Sequence, residues 1–240
     1  MNVIISTCKG RSEHLRDALP SWRDCLPGWL PLVVAVDDPA AASLVREVCR
    51  GREFGLVEIS QVGFSRLGAI AAAVERLPFD AQSVVIFDAD LVALLHTESW
   101  LAGDWSNAFQ IVGPAPNGSF CRDDFGVIVS SAKVFRAAFE LLGDISDWTG
   151  YGWEDVLLRA ACWYVTNGAV KKSPARWAHI PHSDEMRRQA SSGGESIRAQ
   201  ALANYRRLRV GLEHLSEVSG VRWEATTLWE DCVSWARPAA

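Results

Sequence analysis

The sequence lacks the features that would place the chain across a membrane or on a polyanion. No apolar run approaches the roughly 20 residues that a helix needs to span a bilayer. Basic residues are outnumbered, with 24 Lys and Arg against 29 Asp and Glu, so the net charge is −5. A global basic field, which attracts nucleic acid, is therefore absent. The remaining composition, 49% hydrophobic and 22% charged, is that of an ordinary globular protein.

The sequence also lacks a Cys-x-x-Cys motif and an N-terminal targeting pattern, although six cysteines could in principle pair. Its six cysteines are widely scattered and contain no Cys-x-x-Cys. The first residues enter a predicted strand at once, without the basic segment that opens a signal peptide. We therefore expect reduced thiols and a cytoplasmic protein.

Short apolar runs alternate with helix-like segments in the first half of the chain. The predicted strands are Val3–Ser6, Leu32–Val36, Leu56–Ser60 and Ser83–Phe87, and the predicted helices are Ser12–Cys25, Ala40–Cys49 and Ser65–Leu77. This alternation favours a largely parallel sheet with helices on both faces. Ligands of such sheets bind at the carboxyl ends of the strands.

The second half of the chain has a different pattern. It predicts strands over Phe109–Val112 and Phe125–Ser130, a helix over Ala132–Leu142, a helix from near Glu154, a polar loop over 183–195 and an Arg-rich amphipathic helix over 195–218. Eleven tryptophans are spread along the chain. We expect most of them to pack in the core, and one or two on loops to stack on a sugar ring.

The strand predicted over Ser83–Phe87 is followed by two carboxylates one residue apart, Asp88 and Asp90. Side chains alternate along a strand, so both carboxylates project to the same side and suit one divalent cation. Asp is also common where a strand simply ends in a turn. The pair is therefore a candidate metal site that needs further ligands.

Two acids, Glu154 and Asp155, follow a segment of glycines and aromatics at the start of a predicted helix. Acids in a first turn stabilise a helix through its dipole, which is a sufficient structural reason for them. In a functional interpretation, one carboxylate is a general base and the other accepts a hydrogen bond from a polyhydroxylated substrate. The two interpretations are compatible.

Two histidines, His179 and His182, flank Pro181. The proline makes a helix there unfavourable, so we expect a turn or an extended segment. Histidines with this spacing are often capping or surface residues. Imidazole combined with carboxylate nevertheless suits Mn²⁺, and the Asp pair could supply the oxygen ligands.

Basic residues begin two of the predicted helices. Lys9-Gly10-Arg11 follows the first strand, where cationic side chains and free backbone N–H groups suit a diphosphate. A solvated turn is the alternative, and the segment has neither Gly-x-Gly-x-x-Gly nor the glycines of a P-loop. Phe64-Ser65-Arg66 begins another helix at the same end of the sheet and adds a second cation.

Together and in this order, these segments resemble GT-A glycosyltransferases, and most closely those similar to β-1,4-galactosyltransferases and bacterial family 2 enzymes. The match spans about residues 3–185. The resemblance implies an α/β, Rossmann-like GT-A fold with a mostly parallel central sheet, flanking helices and a C-terminal helical segment. It implies one domain over 1–240, with a nucleotide-sugar-binding half at 1–112, an acceptor and catalytic half at 113–195, and a helix and tail at 196–240.

The resemblance also implies a donor and its binding residues. The expected donor is a UDP-sugar, carrying a hexose or N-acetylhexosamine, with Mn²⁺ or Mg²⁺ on its diphosphate. The positions that match the nucleotide-binding residues are Thr7, Lys9, Arg11, Phe64 and Arg66, with Asp37 or Asp38 near the uracil or ribose. Selectivity for the sugar is expected from contacts around residues 113–126.

The metal ligands implied by the resemblance are Asp90 and His182. Asp88 matches a position nearer the ribose or a metal-bound water. His179 stands where the galactosyltransferases often use Met, so its role as a ligand stays open. The loop over 183–195 is expected to act as a lid over bound donor and metal.

For the chemical step, Asp155 matches the catalytic base and Glu154 its acceptor-binding neighbour. Tyr151, Gly152 and Trp153 complete the expected acceptor site. The acidic run is shorter than in the galactosyltransferases, and Tyr151 replaces their Trp, so the acceptor stays open between a glycan, a lipid-linked sugar, a small molecule and a modified base. The reaction is expected to invert the anomeric carbon.

Two other functions are compatible with parts of this pattern. A sugar nucleotidyltransferase also uses an α/β sheet and a metal, but usually has a glycine-rich phosphate loop that Ser6–Arg11 matches poorly. A catalytically silent sugar-nucleotide or carbohydrate-binding protein would keep the fold without the acids. The missing membrane anchor and stem of the Golgi enzymes suggest a bacterial or phage protein in the cytosol.

Overall fold

The computed structural model describes residues 1–48, 55–61, 64–112, 127–149, 152–173, 177–181 and 197–228. In chain order the elements are β1 (Asn2–Cys8), α1 (Ser12–Cys25), β2 (Trp29–Val36), α2 (Pro39–Val48), β3 (Gly55–Ile59), α3 (Arg66–Glu75), β4 (Ser83–Asp88), β5 (Leu91–Ala93), α4 (Thr97–Leu101), β6 (Phe109–Val112), β7 (Ile128–Ser130), α5 (Ala132–Leu142), α6 (Glu154–Val165), β8 (Val170–Ser173), β9 (Trp177–His179) and α7 (Ile197–Ser219), followed by a 3₁₀ turn at Trp223–Ala225. The predicted strands and helices are present, within a few residues of their expected ends.

Seven strands form one central sheet in the order β3-β2-β1-β4-β7-β6-β8. The first four of these are parallel to one another, β7 is antiparallel to both β4 and β6, and β8 is parallel to β6. Within the β1–β4 pair, Thr7 lies opposite Asp88. The segments that follow β1 and β4 therefore leave the sheet side by side. The predicted α/β class with a mostly parallel sheet is confirmed.

Both faces of the sheet are covered by helices. Val3 and Ile5 of β1 belong to the core formed with α3, α5, α6 and α7, whereas Ile4 belongs to the core formed with α1, α2 and α4. Successive strand side chains point to opposite faces, so a strand that is covered on both sides must be apolar at every position. This explains why the central strands read as continuous apolar runs.

Most of the tryptophans are core residues, as expected. Seven of them are at most 8% exposed: Trp22, Trp29, Trp100, Trp105, Trp148, Trp163 and Trp177. Trp153 and Trp223 are partly buried against the core.

A second, two-stranded sheet joins β5 to β9 in antiparallel orientation, with Leu91 opposite His179. Trp177 of β9 packs on Trp100, with ring centroids 4.7 Å apart, and on Phe87 at 5.6 Å. Trp22 of α1 donates its indole N–H to the Leu91 carbonyl at 2.7 Å. This aromatic packing holds β9 beside the carboxyl end of β4. The small sheet was not predicted.

The C-terminal helix α7 packs its apolar side on the body of the protein. Leu208, Leu212 and Leu215 are fully buried in the core that α5 and α6 also line. Arg206 and Arg209 lie on its exposed side, which gives the amphipathic pattern that the sequence predicts. In the described part of the chain, no helix combines the length and the apolarity needed to cross a membrane.

Candidate functional site

The turn between β1 and α1 places two basic residues at the carboxyl edge of the sheet. Gly10 adopts a φ of 65°, which glycine accepts without strain. Its N–H donates to Asp38 Oδ2 at 2.7 Å, and Asp38 Oδ1 accepts the N–H of Ala41 at 2.9 Å. Asp38 therefore connects the turn to the start of α2. Because both its oxygens accept backbone N–H groups, Asp38 has a clear structural role beside its predicted one.

Asp37, Lys9 and Phe64 form a second group at the same edge. Asp37 Oδ2 accepts the N–H of Gln61 at 3.1 Å and lies 3.9 Å from Lys9 Nζ. Hydrogen bonds from Ser60 and Gln61, with the charge of Lys9, lower the pKa of the exposed Asp37 carboxyl. The Lys9 ammonium lies 5.9 Å from the centre of the Phe64 ring. A cation, a carboxylate and an aromatic face thus lie together at this edge of the sheet.

The two carboxylates of the Asp-x-Asp segment are bound by different arginines. Asp88 Oδ1 accepts Arg66 Nη2 at 2.6 Å, whereas Asp90 Oδ2 accepts Arg11 Nη1 at 2.8 Å. The Asp88 side chain is 27% exposed and that of Asp90 is 1% exposed. Arg66 is positioned by the first turn of α3, where the Ser65 hydroxyl accepts the N–H of Gly68 at 3.0 Å. Only Asp88 therefore has appreciable contact with solvent.

The β5–β9 pair brings His179 to Asp90. The N–H of Ile180 donates to the Asp90 carbonyl at 2.8 Å, and His179 Nε2 lies 3.5 Å from Asp90 Oδ2. His179 ends strand β9, so the structure shows the extended form of the predicted turn or extended segment. An imidazole nitrogen and a carboxylate oxygen thus lie close together, although His179 and Asp90 are 89 positions apart in the sequence.

These two side chains fit a divalent cation. His179 Nε2 and Asp90 Oδ2 are 3.5 Å apart, so both side chains could contact one bound cation. An oxygen and an imidazole nitrogen also suit Mn²⁺ chemically. Among the described residues no cluster of three or more His, Cys, Asp or Glu side chains could hold a metal. The third predicted ligand, His182, lies outside the described residues.

A left-handed turn positions the acid pair at the start of α6. Gly152 and Trp153 have φ values of 99° and 71°, and the Trp153 carbonyl accepts the N–H of Leu157 at 3.0 Å. The Trp153 ring lies 5.0 Å from that of Tyr205 on α7. This packing compensates for a backbone conformation that is unfavourable for a bulky side chain. The first helical residues are then Glu154 and Asp155.

Helix α7 supports the segment that precedes this turn. The Thr149 carbonyl accepts Asn204 Nδ2 and Arg207 Nη1, both at 3.3 Å, and Arg207 Nη1 also donates to Asn204 Oδ1 at 2.6 Å. Asn204, Arg207 and Tyr205 were not predicted as supporting residues. The signal available in the sequence was an asparagine at helical spacing with Leu208 and Leu212; in the structure Asn204 is only 1% exposed.

Arg66 connects the donor half electrostatically to the acid pair. Burial lowers the pKa of its guanidinium, but the charges of Asp88, Glu154 and Asp155 outweigh burial, so that the pKa lies above its ordinary value. Burial and the charge of Asp155 raise the pKa of Glu154 to about 7, although Arg66 opposes this rise. Arg66, Asp88, Glu154 and Asp155 therefore form one charged cluster.

Glu154 is set apart from the other acids of this cluster. Its Oε2 atom is buried and has no hydrogen-bond partner among the residues that the structure describes. With a pKa of about 7, the carboxyl group is present in both protonation states near neutral pH. It can therefore donate or accept a hydrogen bond, which suits contact with a hydroxyl group.

Several predicted elements of the site lie outside the described residues. They are Tyr151, His182, the donor-selectivity segment 113–126 and the lid over 183–195. Their roles stay predictions. Thr7 is described: it is 9% exposed at the end of β1, opposite Asp88.

Comparison with known proteins identifies the fold. No protein-family model matches the sequence, and no curated protein matches it. Residues 1–349 of S. aureus TarS, solved in complex with UDP-GlcNAc, match with a TM-score of 0.60 and 11% identity, over 88% of this chain and 66% of that chain. The full S. aureus TarS matches with a TM-score of 0.56 and 11% identity, over 90% of this chain but 42% of its own length.

A second type of solved structure is also similar. The catalytic domain of Drosophila β1,4-galactosyltransferase 7, in complex with xylobiose, has a TM-score of 0.52 and 13% identity, over 94% of this chain and 82% of that chain. A variant of the Drosophila enzyme, solved with manganese, UDP-Gal and xylobiose, matches with a TM-score of 0.52 and 12% identity, over 83% of this chain and 79% of that chain. At such identities the likeness concerns the fold. The chain thus has the GT-A fold that the resemblance implied.

Proposed function

We propose that this protein is a metal-dependent glycosyltransferase that moves a sugar from a UDP-sugar to an acceptor hydroxyl, with inversion. The observation that carries the proposal is the cluster around Arg66, which joins the Asp-x-Asp segment to the acid pair of α6. We assign the Asp-x-Asp segment to the donor side of a transfer reaction and the acid pair to its acceptor side. The similar structures contain UDP-GlcNAc in one case and UDP-Gal with manganese in another.

The donor is assigned to the carboxyl edge of β1, β2 and β4. Lys9 and Arg11 lie just before α1, where the first backbone N–H groups of a helix lack intrahelical acceptors and attract a diphosphate. Phe64 and Asp37 are adjacent to Lys9 and are assigned to the nucleoside. Thr7, Asp38 and Arg66 complete this side of the site.

Asp90 and His179 would hold the divalent cation, with His182 as the further predicted ligand. When bound, Mn²⁺ or Mg²⁺ supplies positive charge that stabilises a departing diphosphate. The cationic side chains of Lys9 and Arg11 act on the same charge. Asp88 is held by Arg66 at the solvent-facing side of the cluster and is assigned to the ribose or a metal-bound water.

The acid pair is assigned to the acceptor. Asp155 takes the proton of the acceptor hydroxyl as its oxygen bonds to the anomeric carbon and the bond from that carbon to UDP breaks. Glu154 hydrogen-bonds the acceptor through the Oε2 atom described above. Trp153 and Gly152 are assigned to the neighbouring wall, on which a sugar ring can stack, and Tyr151 stays a predicted acceptor-binding residue. Acceptors compatible with this wall include a glycan, a small molecule and a modified base.

The proposal is tested by thermal unfolding with a panel of UDP-sugars, each with and without Mn²⁺, followed by an assay for release of UDP. We expect one UDP-hexose or UDP-N-acetylhexosamine to stabilise the protein in a Mn²⁺-dependent way and to be hydrolysed slowly without acceptor. Asp90→Asn is the control and should lose the Mn²⁺ dependence. Release of pyrophosphate from a nucleoside triphosphate and a sugar phosphate, with no response to UDP-sugars, would instead show a nucleotidyltransferase. Binding without any hydrolysis or transfer would indicate a silent binding protein.

A further inference from the structure

Arg11 forms an ion pair with the carboxylate that is assigned to the metal. Its Nη1 atom lies 2.8 Å from Asp90 Oδ2, and the Arg11 side chain is 20% exposed whereas Asp90 is 1% exposed. A carboxylate this deeply buried is costly without a positive partner. Arg11 supplies that partner from the turn after β1, 79 residues away in the sequence.

The same oxygen faces the second proposed metal ligand. Asp90 Oδ2 is 3.5 Å from His179 Nε2 and 2.8 Å from Arg11 Nη1. A cation bound by Asp90 and His179 would therefore meet the guanidinium at that oxygen. Two positive charges at such a distance repel each other strongly in a buried site. Arg11 and the cation thus compete for Asp90.

We propose that Arg11 couples binding of the metal to binding of the donor. When a divalent cation occupies Asp90, the guanidinium leaves Oδ2 and pairs with the diphosphate, which the start of α1 brings next to Arg11. Metal without nucleotide binds weakly because it must displace Arg11 with no new anion for it. This inference rests on the proposed function, because it needs both a diphosphate and a metal at this site.

The two other cations assigned to the donor side, Lys9 and Arg66, contact acids other than Asp90. Lys9 Nζ lies 3.9 Å from Asp37, and Arg66 hydrogen-bonds Asp88. Lys9 is therefore the matched control: its removal deletes one positive charge from the donor side without touching the contact with Asp90. Coupling of this kind is reciprocal, so Mn²⁺ and UDP must strengthen each other by the same factor.

The test is calorimetric titration of Mn²⁺ alone, UDP alone, and each in the presence of the other, on the wild type, Arg11→Gln and Lys9→Gln. In R11Q we expect Mn²⁺ alone to bind at least about fivefold more tightly, at the lower end of typical couplings, while UDP with Mn²⁺ binds more weakly. The coupling factor should fall but not vanish, because metal and diphosphate also attract each other directly. K9Q should weaken UDP without tightening Mn²⁺.

Unchanged or weaker binding of Mn²⁺ alone to R11Q would overturn the inference. The inference would also be overturned, without any variant, if UDP left the Mn²⁺ affinity of the wild type unchanged. If R11Q does not fold, Arg11→Lys takes its place in the test. It keeps the charge but loses the planar fork of the guanidinium, so its affinity for Mn²⁺ alone should lie between that of the wild type and that expected for R11Q. If the wild type binds neither Mn²⁺ nor UDP, the proposed function itself fails; if it binds both and only the R11Q effect is missing, this inference alone fails.

Discussion

The guanidinium of Arg66, at the start of α3, lies 2.6 Å from a carboxylate oxygen of Asp88, at the end of β4. The same side chain interacts with the charges of Glu154 and Asp155 at the start of α6. One arginine thus interacts with three acids that come from two separate parts of the chain. Four predictions concern this cluster and the adjacent metal ligands.

Replacing Asp155 by Asn should remove most turnover. The amide cannot accept the proton of the acceptor hydroxyl, and a positioned base typically contributes about 10²–10⁴-fold to the rate. Binding of UDP with Mn²⁺ should be unchanged, because Asp155 lies on the acceptor side. The measurements are kcat with the best donor and calorimetric titration of UDP. Full activity, or a large loss of UDP affinity, contradicts the role of base.

Glu154 should make the protein lose stability as the pH rises. Its pKa is 4.5 in the unfolded reference and about 7 in the folded state, so the folded protein binds more protons between these values. The free energy of unfolding should therefore fall between about pH 4.5 and pH 7, by at most about 3 kcal/mol. Glu154→Gln should remove this contribution. Denaturant unfolding at several pH values, compared between wild type and E154Q, measures it; parallel pH profiles would contradict the prediction.

Removing the charge of Arg66 should destabilise the protein and affect both sides of the site. In Arg66→Met, Asp88 loses a charged hydrogen bond, which typically contributes about 1.5–3 kcal/mol. Without the opposing charge of Arg66, the pKa of Glu154 should rise further. Thermal unfolding reports the first effect, and the pH dependence of activity reports the second. Arg66→Lys is the control and should restore part of the stability; equal losses in both variants would show that the charge is not the cause.

His179 should contribute to metal affinity. We expect His179→Ala to weaken binding of Mn²⁺ in the presence of UDP by at least about tenfold, the lower bound for losses around metal sites. His96, which is exposed before α4, provides the matched control, since His96→Ala removes an imidazole away from Asp90. Calorimetric titration of Mn²⁺ measures both variants. Equal affinities in H179A and the wild type would exclude His179 as a ligand.

Local patterns predicted the elements that are long or strongly periodic. The helices Ser12–Cys25 and Ala132–Leu142 were predicted with the bounds that the structure shows. The strands β5 and β9 were missed because three residues contain too little periodicity to be recognised. Their pairing depends on aromatic packing between distant segments, which no local pattern records. Yet this pairing is what brings His179 to Asp90.

The support of the acid pair was missed for a related reason. Asn204 and Arg207 were visible only as polar residues of an amphipathic helix, and their hydrogen bonds to Thr149 exist because α7 packs beside α6. Asp38 is the opposite case, a predicted site residue for which the structure shows an additional role. It was predicted as a nucleotide-binding residue, and the structure adds a structural role in holding the turn at Gly10.

The sequence by itself determined the α/β class, the alternation of strands and helices from β1 to β4, and the presence of carboxylates, cations and imidazoles in the segments that follow strands. These follow from periodicity and from the turn and helix-start residues, which act over a few positions. Only the tertiary structure decided which charge meets which, because an ion pair joins residues that are distant in the chain. Arg11 and Asp90, 79 positions apart, are paired only because β1 and β4 are neighbours in the sheet.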